Sequence, residues 1–254
     1  MKCRLDKLLV ERGLVPSRER AQALILAGRV LVNEQKAEKA GANVERAATI
    51  RIVGDELPFV SRGGLKLAHA LQHWRIEVRG KTCMDIGAST GGFTDCLLQS
   101  GATKVIAVDT GYGQMDAKLR ADLRVRLLEK TNARYLTPAR VWPSPAEMEP
   151  VTLIIMDVSF ISATVVLPAV LQCVRASAPP AGFELVVLVK PQFEAGRGHV
   201  GKGGIVRDPQ VRQMAVSRVV KAVEDLGGTN VETIESPILG VAGNQEFLLY
   251  ARFA

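Results

Sequence analysis

The sequence predicts an α/β protein: a doubly wound sheet of seven strands preceded by a small α+β domain. Three observations predict it. From about residue 82 to the end, short apolar runs alternate with helical patterns, the layout of strands wrapped by crossover helices. The first of these runs leads into a glycine-rich turn, Gly87-Ala88-Ser89-Thr90-Gly91-Gly92. Before residue 33 lies a cation-rich segment of helical pattern, and Glu56-Leu57-Pro58-Phe59-Val60 reads as the linker that follows its domain. The expected units are 1–58 and 59–254.

In the first unit Leu5, Leu8 and Leu9 share one helical face, and Gly13 ends that helix before Pro16. Ser17 is placed to cap a second helix whose apolar side is Ala21, Leu24 and Ile25. Ala27-Gly28 closes it, and Val30 to Val32 then reads as a short strand entering a turn at Asn33. Thr49 to Asp55 reads as a second strand, with Arg51 facing away from Ile50 and Ile52. Seven cations precede residue 33 (Lys2, Arg4, Lys7, Arg12, Arg18, Arg20 and Arg29) against three carboxylates, Asp6, Glu11 and Glu19. One-signed charge concentrated on two helices and a strand suits a phosphate backbone; the alternative is an ordinary solvated face.

Composition sets outer bounds. With 254 residues, 47% apolar and 23% charged, the chain supports one large or two modest domains of a globular protein. A net charge of +7 favours a polyanionic partner. Cys3, Cys83, Cys96 and Cys173 are scattered, and none pairs with the three histidines at ligand spacing, so no metal cluster is expected. The charged N-terminus lacks an apolar signal core, and no apolar run reaches the ~20 residues of a membrane span. A reduced, cytoplasmic protein is expected, with no membrane association and no protein partner evident.

The second unit is read strand by strand. Thr82–Ile86 is a buried strand, and Phe93 to Gln99 is the helix after its glycine turn. Such a turn brings backbone N–H groups and a helix N-terminus close to a ligand. Lys104–Val108 is the second strand, and Asp109 closes it, well placed to accept hydrogen bonds from ribose hydroxyls. Further strands fall at Val125–Leu128, Leu153–Met156, Leu185–Val189, Val231–Ile234 and Phe247–Phe253, with helices at Ile161–Ala176 and Pro209–Leu226 among those between. The turn and Asp109 together describe a nucleoside-cofactor pocket. Asp85 just before the first glycine, with no G-x-G-x-x-G, favours S-adenosylmethionine over a dinucleotide.

Two other motifs overlap this reading. Gly87-Ala88-Ser89-Thr90-Gly91 satisfies G-x-S-x-G, a nucleophile elbow, and Asp157 and His199 follow in hydrolase order. That assignment leaves Asp85 and Asp109 without a role. Gly196 to Gly203 begins as a phosphate loop and then fails, with Gly203 where Ser or Thr must meet magnesium. It reads instead as a substrate-facing or plain solvated loop.

Four charges stand where apolar patterns end or begin. Lys66 lies in Ser61-Arg62-Gly63-Gly64-Leu65-Lys66-Leu67 at a helix start, Asp157 ends Leu153–Met156, Lys190 ends Leu185–Val189, and Glu246 opens the last strand. Ligands gather at the carboxyl ends of parallel strands, where Asp157 and Lys190 belong. A final antiparallel strand brings Glu246 to the same edge. Each alone is an ordinary surface charge; the four together are a candidate catalytic set.

Residues 5 to 54 resemble the small RNA-binding fold named after ribosomal protein S-four, through R-L-D-K-L-L…S-R-x-x-A-x-x-L-I-x-x-G-x-V-x-V-N at Arg4 to Asn33. The resemblance implies RNA contacts by Arg4, Lys7, Arg18, Arg20 and Arg29. The rest resembles the FtsJ-like RNA 2′-O-methyltransferases, and more closely the TlyA family, often labelled hemolysin. The motifs are S-R-G-G-x-K-L, D-I-G-A-S-T-G-G-F-T, V-D-T-G-Y-G-Q, K-T-N-A-R, D-V-S-F-I-S and V-K-P-Q-F-E. This implies a Rossmann-like seven-stranded methyltransferase sheet, transfer from S-adenosylmethionine to a ribose 2′-hydroxyl of ribosomal RNA, a cytidine, and a catalytic tetrad of Lys66, Asp157, Lys190 and Glu246. Gly87, Ser89, Gly91, Gly92 and Phe93 would border the methionine part of the cofactor, Asp109 its ribose and Asn132 its adenine, with Asp85 and Asp157 alongside. The chain ends at Ala254 directly after its last strand, without the C-terminal segment some members carry, which leaves the ribosomal subunit open.

A 2′-hydroxyl is a weak nucleophile that must lose its proton as it attacks. Lys190 can take that proton or stabilise the emerging alkoxide. Desolvation favours a neutral lysine and neighbouring carboxylates a charged one, so both roles stay open. Glu246 and Asp157 are expected to orient the lysines, and Lys66 to position the ribose. The rival readings are a non-catalytic RNA-binding or ribosome-assembly factor on the same fold and a pore-forming hemolysin.

Overall fold

The computed structural model describes every residue except 1, 16, 27, 38, 54–57, 178–180 and 241–242. Among the sequence expectations, the role of Pro16, the cap at Ala27, the strand end at 54–55 and the linker positions 56 and 57 lie outside the described residues. The chain divides into two compact units, Met1–Glu56 and Leu57–Ala254.

The first unit runs β1 (Lys2–Arg4), α1 (Leu5–Glu11), α2 (Arg18–Leu26), β2 (Val30–Val32), β3 (Gln35–Lys36), β4 (Asn43–Glu45) and β5 (Ile50–Ile52). Leu5, Leu9, Ala21, Leu24 and Ile25 from the two helices close a small core with Val30. Ser17 does cap α2, its Oγ accepting from Arg20 N at 3.2 Å. β2 pairs antiparallel with β3 and β5, and Ile50 and Ile52 face inward while Arg51 is exposed. The pair β1–β4 was not expected from sequence; three residues each, mostly exposed, carry too little alternation to be seen.

The second unit begins with α3 (Gly63–His73), then β6 (Thr82–Ile86), α4 (Gly92–Gln99), β7 (Lys104–Val108), α5 (Ala117–Ala121), β8 (Val125–Leu128), α6 (Pro138–Val141), β9 (Leu153–Met156) and α7 (Ala163–Ala176). It continues through β10 (Phe183–Val189), α8 (Pro191–Glu194), α9 (Pro209–Asp225), β11 (Thr229–Glu235) and β12 (Phe247–Phe253). All seven expected strands form one sheet, ordered β11-β12-β10-β9-β6-β7-β8. β8, β7, β6, β9 and β10 are parallel neighbours, and β12 runs antiparallel between β10 and β11.

Period-two alternation sorts the sheet into two faces. Met84, Ile106, Ile154, Met156 and Val187 pack under α7 and α9. Cys83, Val105, Leu153, Ile155 and Leu188 pack under α3 and α4. Strands buried on both faces are near-continuously apolar, which is why the sequence shows them clearly. Strand order reverses between β6 and β9, because the chain moves outward through β7 and β8 and then returns. A crevice at the carboxyl ends of strands forms at such a switch point, and the charged residues collect there.

The expected element ends shift by a few residues, each for a local reason. α7 starts at Ala163 rather than Ile161, since the Ser162 side chain caps it by accepting from Thr164 N. β10 begins at Phe183, two residues early, because Phe183 pairs with Phe253 of β12. β11 extends to Thr229–Glu235 with an irregularity in its pairing between Thr229 and Glu232.

Candidate active site

The carboxyl edge of the sheet is fixed by register. Met156 pairs with Ile86 and Val187, and Val189 pairs with Phe247. The next residues beyond those pairs are Gly87, Asp157, Lys190 and Glu246, so four adjacent strands deliver them to one edge. Gly87 takes φ +87°, and a Cβ there would stand 2.3 Å from the carbonyl oxygen of Asp157. Only glycine lets the turn pass so close to the β9 end.

Two lysine–carboxylate pairs occupy this edge. Lys190 Nζ lies 2.5 Å from Asp157 Oδ1 and donates to Ser159 Oγ at 2.7 Å. The Asp157 contact is an ion pair rather than a well-directed hydrogen bond, so that oxygen keeps unmet acceptor capacity. Lys66, buried on α3, donates to Glu246, itself 2% exposed. A Cβ on Gly240 would meet Glu246 Oε1 at 2.1 Å, so bare backbone at Gly240 packs against the carboxylate. Two buried charges of opposite sign in contact avoid the large penalty of either alone.

The glycine turn and the β7 end form the second half of the crevice. Asp109 accepts from Ser89 N at 2.8 Å through Oδ2 and from Gly111 N at 2.6 Å through Oδ1. Its carboxylate therefore ties the two loops together and keeps lone pairs for a further donor. Ser89 is exposed with φ +48°, Gly91 precedes α4 with φ +92°, and Gly92 opens that helix. Asn132 is exposed next to Thr131, whose N–H donates to Asp109 O at 2.9 Å, and its own side chain caps the turn Ala133–Tyr135. A backbone-lined turn facing a strand-end carboxylate fits a nucleoside with vicinal hydroxyls and an anionic tail.

Two expected contacts lie elsewhere. The Phe93 ring is 3% exposed and belongs to the core, against Gly63, because its position on α4 faces the sheet. Asp85 is fully buried and accepts from Thr94 Oγ1 at 2.6 Å, since alternation along β6 turns it under α4. Burial, with Asp157 and Asp109 adding to it, pushes its carboxyl up to about 7 against the opposing Thr94 hydrogen bond. These two residues build the turn from beneath rather than line the crevice.

The hydrolase arrangement is not assembled. The Ser89 hydroxyl has Gln114 Oε1 at 3.5 Å as its partner among the described residues, and Asp157 pairs with a lysine, not with His199.

Two supporting residues were missed from sequence. Asn244, 2% exposed, accepts from Val206 N at 3.0 Å and donates to Gly204 O at 2.8 Å, pinning the glycine-rich segment 201–206 to the strand that carries Glu246. Glu194 accepts from Ala163 N at 2.7 Å and from Ser162 Oγ at 2.5 Å, tying the segment after Lys190 to the helix after Asp157. Burial raises the Glu194 carboxyl above its ordinary range. Asn244 between Gly243 and Glu246, and Glu194 within V-K-P-Q-F-E, were the available signals.

In the first unit Arg4 and Arg18 converge on Asp6. Arg4 Nε and Nη2 donate to its two oxygens at 3.0 and 2.9 Å, and Arg18 Nη2 donates at 2.9 Å. Both arginines stay about half exposed, 51% and 52%. Lys7 is exposed, 3.8 Å from Glu11, and Arg20 lies on α2. Arg29 Nε donates to Val53 O at 3.0 Å, so part of its guanidinium serves the fold.

Known proteins resemble the chain over both units. The family model for the FtsJ-like methyltransferase matches residues 59–253, and that for the S4 domain matches residues 3–50. The chain is 44% identical over 252 residues to the 16S/23S rRNA (cytidine-2′-O)-methyltransferase TlyA of Mycobacterium tuberculosis, covering 99% of this chain and 90% of that protein. It is 40% identical over 248 residues to Hemolysin A of Brachyspira hyodysenteriae, covering 97% and 98% of the two. A solved structure described as a hemolysin from Streptococcus thermophilus matches with a TM-score of 0.75 at 39% identity, over 100% of this chain and 89% of that one.

Proposed function

The chain belongs to the FtsJ-like methyltransferase family, and from that premise we propose that it transfers a methyl group from S-adenosylmethionine to the 2′-hydroxyl of a cytidine ribose in ribosomal RNA. One observation carries this reading: two lysine–carboxylate pairs, Lys66–Glu246 and Lys190–Asp157, stand at the sheet edge that also holds the glycine turn. The relative named as a cytidine-2′-O-methyltransferase and the S4 domain support the choice of acceptor. An rRNA acceptor sets the workplace as the cytoplasm; among the described residues no helix is long and apolar enough to cross a membrane.

When bound, S-adenosylmethionine supplies an electrophilic methyl group. Gly87, Ser89, Gly91 and Gly92 would hold its methionine part, Asp109 its ribose hydroxyls, and Asn132 would stand at the adenine end. The remaining work falls to side chains. An ammonium has three donors; Ser159 accepts from Lys190 and Asp157 holds it as an ion pair, which leaves donor capacity for the ribose 2′-oxygen. As that oxygen attacks, its proton passes to water, negative charge grows on the oxygen, and a fixed cation stabilises it more than the resting hydroxyl. Glu246 and Gly240 fix Lys66 beside this point, where it orients the ribose. Arg4, Lys7, Arg18, Arg20 and Arg29 hold the RNA backbone.

Incubating the protein with tritiated S-adenosylmethionine and ribosomal RNA or subunits, then mapping 2′-O-methyl positions, tests the reading. Label at a ribose that then resists alkaline cleavage is expected. Cofactor binding with no transfer would leave a non-catalytic RNA-binding factor, and label on a base would overturn the tetrad assignment.

A further inference from the structure

Resting on the RNA-methyltransferase reading, we infer that the cleft between the start of α9 and Leu239, Gly243 and Gln245 is a subsite for a phosphodiester of the acceptor RNA. The cleft has a volume of about 340 Å³ and is lined by Arg207, Arg212, Leu239 and Gln245 among others. No carboxylate lines it, and among the described residues neither arginine pairs with one. This contrasts with Arg51, Arg120 and Arg124, each of which has a carboxylate partner within 2.7 Å.

Arg212 carries the argument. Its Nη2 donates to Arg207 O at 3.1 Å, which anchors the guanidinium at the cleft, while its Nε is shut from water without an acceptor among the described residues. A buried donor left unpaired is unfavourable, so an acceptor oxygen entering the cleft relieves it. Arg207 adds an exposed second cation that makes no hydrogen bond through its side chain among the described residues. Two guanidiniums that converge on one cleft suit tetrahedral phosphate oxygens.

The position of the cleft favours RNA over a free anion. Gln245 precedes Glu246, and Leu239, whose carbonyl accepts from Arg62 at 3.2 Å, precedes the Gly240 that packs on the Glu246 carboxylate. The cleft wall is therefore the same segment that encloses one member of the tetrad. A ribose presented to Lys190 has a phosphate on each side along its own strand. The Asn244 pin between the 201–206 segment and the strand start holds the two walls together.

The test compares Arg207→Gln, Arg212→Gln and Arg207→Lys in the full-length protein, by rRNA binding across a salt series, RNA KM and S-adenosylmethionine affinity. Each Gln variant is expected to weaken RNA binding about 5- to 10-fold and to reduce its salt slope by about one, with the loss falling on KM more than on kcat. The Lys variant is expected to recover most of the affinity, and cofactor affinity is expected to stay unchanged. Arg207→Gln separates recognition from folding, because no internal bond is lost. RNA affinity and salt slope unchanged in both Gln variants would overturn the subsite. Binding of inorganic phosphate that Arg207→Gln abolishes, with RNA affinity and salt slope unchanged, would assign the cleft to a free anion and overturn it as well. A wild-type protein that binds rRNA but transfers no methyl group would instead defeat the methyltransferase reading, while the salt series still decides the subsite.

Discussion

Lys190 Nζ stands 2.5 Å from Asp157 Oδ1 across the ends of two parallel strands, and Ser159 Oγ shares the same ammonium. A lysine held by an ion pair on one side and a hydrogen bond on the other is fixed in place with donor capacity to spare. Replacing Lys190 with Ala is expected to cut the single-turnover rate of methyl transfer by about 100-fold or more, with cofactor affinity retained. Ser89→Ala is expected to be mild. A near-normal rate for the Lys190 variant would remove the tetrad from the chemistry.

The Lys66–Glu246 pair is buried on both sides, so its single and double variants should differ in kind. Lys66→Met or Glu246→Gln alone strands one charge, a cost of about 3–5 kcal/mol in unfolding free energy. The double variant Lys66→Met/Glu246→Gln is expected to regain much of that stability and still transfer methyl groups poorly. Denaturant melts paired with single-turnover rates check this. A double variant as active as the wild type would mean that the pair serves the fold alone.

Much of the architecture was legible because buried parallel strands are apolar on both faces. Asp157, Lys190 and Glu246 stood out as charges at the limits of such runs, and the register then brings them to neighbouring strand ends. Other features left no local trace. The Glu194 cap on Ala163 spans 31 residues, and the Asn244 bridge to Val206 spans 38; side-chain partners at that distance are set by tertiary packing. Phe93 and Asp85 flank the glycine turn, which makes them ligand contacts by sequence alone, but alternation and helix phase bury both side chains. Sequence proximity to a motif is not exposure to its ligand.

Asp109 binds two loop amides, from Ser89 and Gly111, so Asp109→Ala is expected to act twice. It removes a charged acceptor from the cofactor ribose, about 1.5–3 kcal/mol per hydrogen bond lost, and it frees the turn that borders the methionine part. Calorimetric titration with S-adenosylmethionine should register at least a tenfold loss of affinity. Unchanged affinity would take Asp109 out of the cofactor site.

Asp85 is expected to make stability depend on pH near neutrality. Its carboxyl is raised to about 7 in the folded state, above the ordinary value of 3.8, so the folded form binds its proton more tightly than the unfolded chain. That contribution is full below the unfolded value and is lost as pH rises through about 7. Asp85→Asn should flatten this part of the profile, relative to wild type, in denaturant melts between pH 5 and 8. An identical pH slope in the variant would show that Asp85 stays charged in the folded protein.

Asp6 presents the opposite sign and a sharper test of the RNA face. It is fully buried, and it holds Arg4, Arg18 and Gln22 through its two oxygens. The Arg4 guanidinium first, then Arg18 and Gln22, keep its carboxyl well below the usual carboxylate range despite burial. Its stabilising contribution is therefore present above the ordinary value of 3.8 and lost as pH falls toward the folded value. Asp6→Asn is expected to cost about 2–4 kcal/mol at neutral pH, since charge-assisted hydrogen bonds to two arginines weaken. Net positive charge rises in this variant, so long-range attraction alone predicts tighter RNA binding. If Asp6 instead holds Arg4 and Arg18 ready for phosphates, ordering them must outweigh one unit of charge, and RNA binding weakens. Filter binding at fixed salt on the folded variant, with Arg4→Gln/Arg18→Gln as reference, decides it. Binding as tight as wild type or tighter would leave Asp6 a structural residue only.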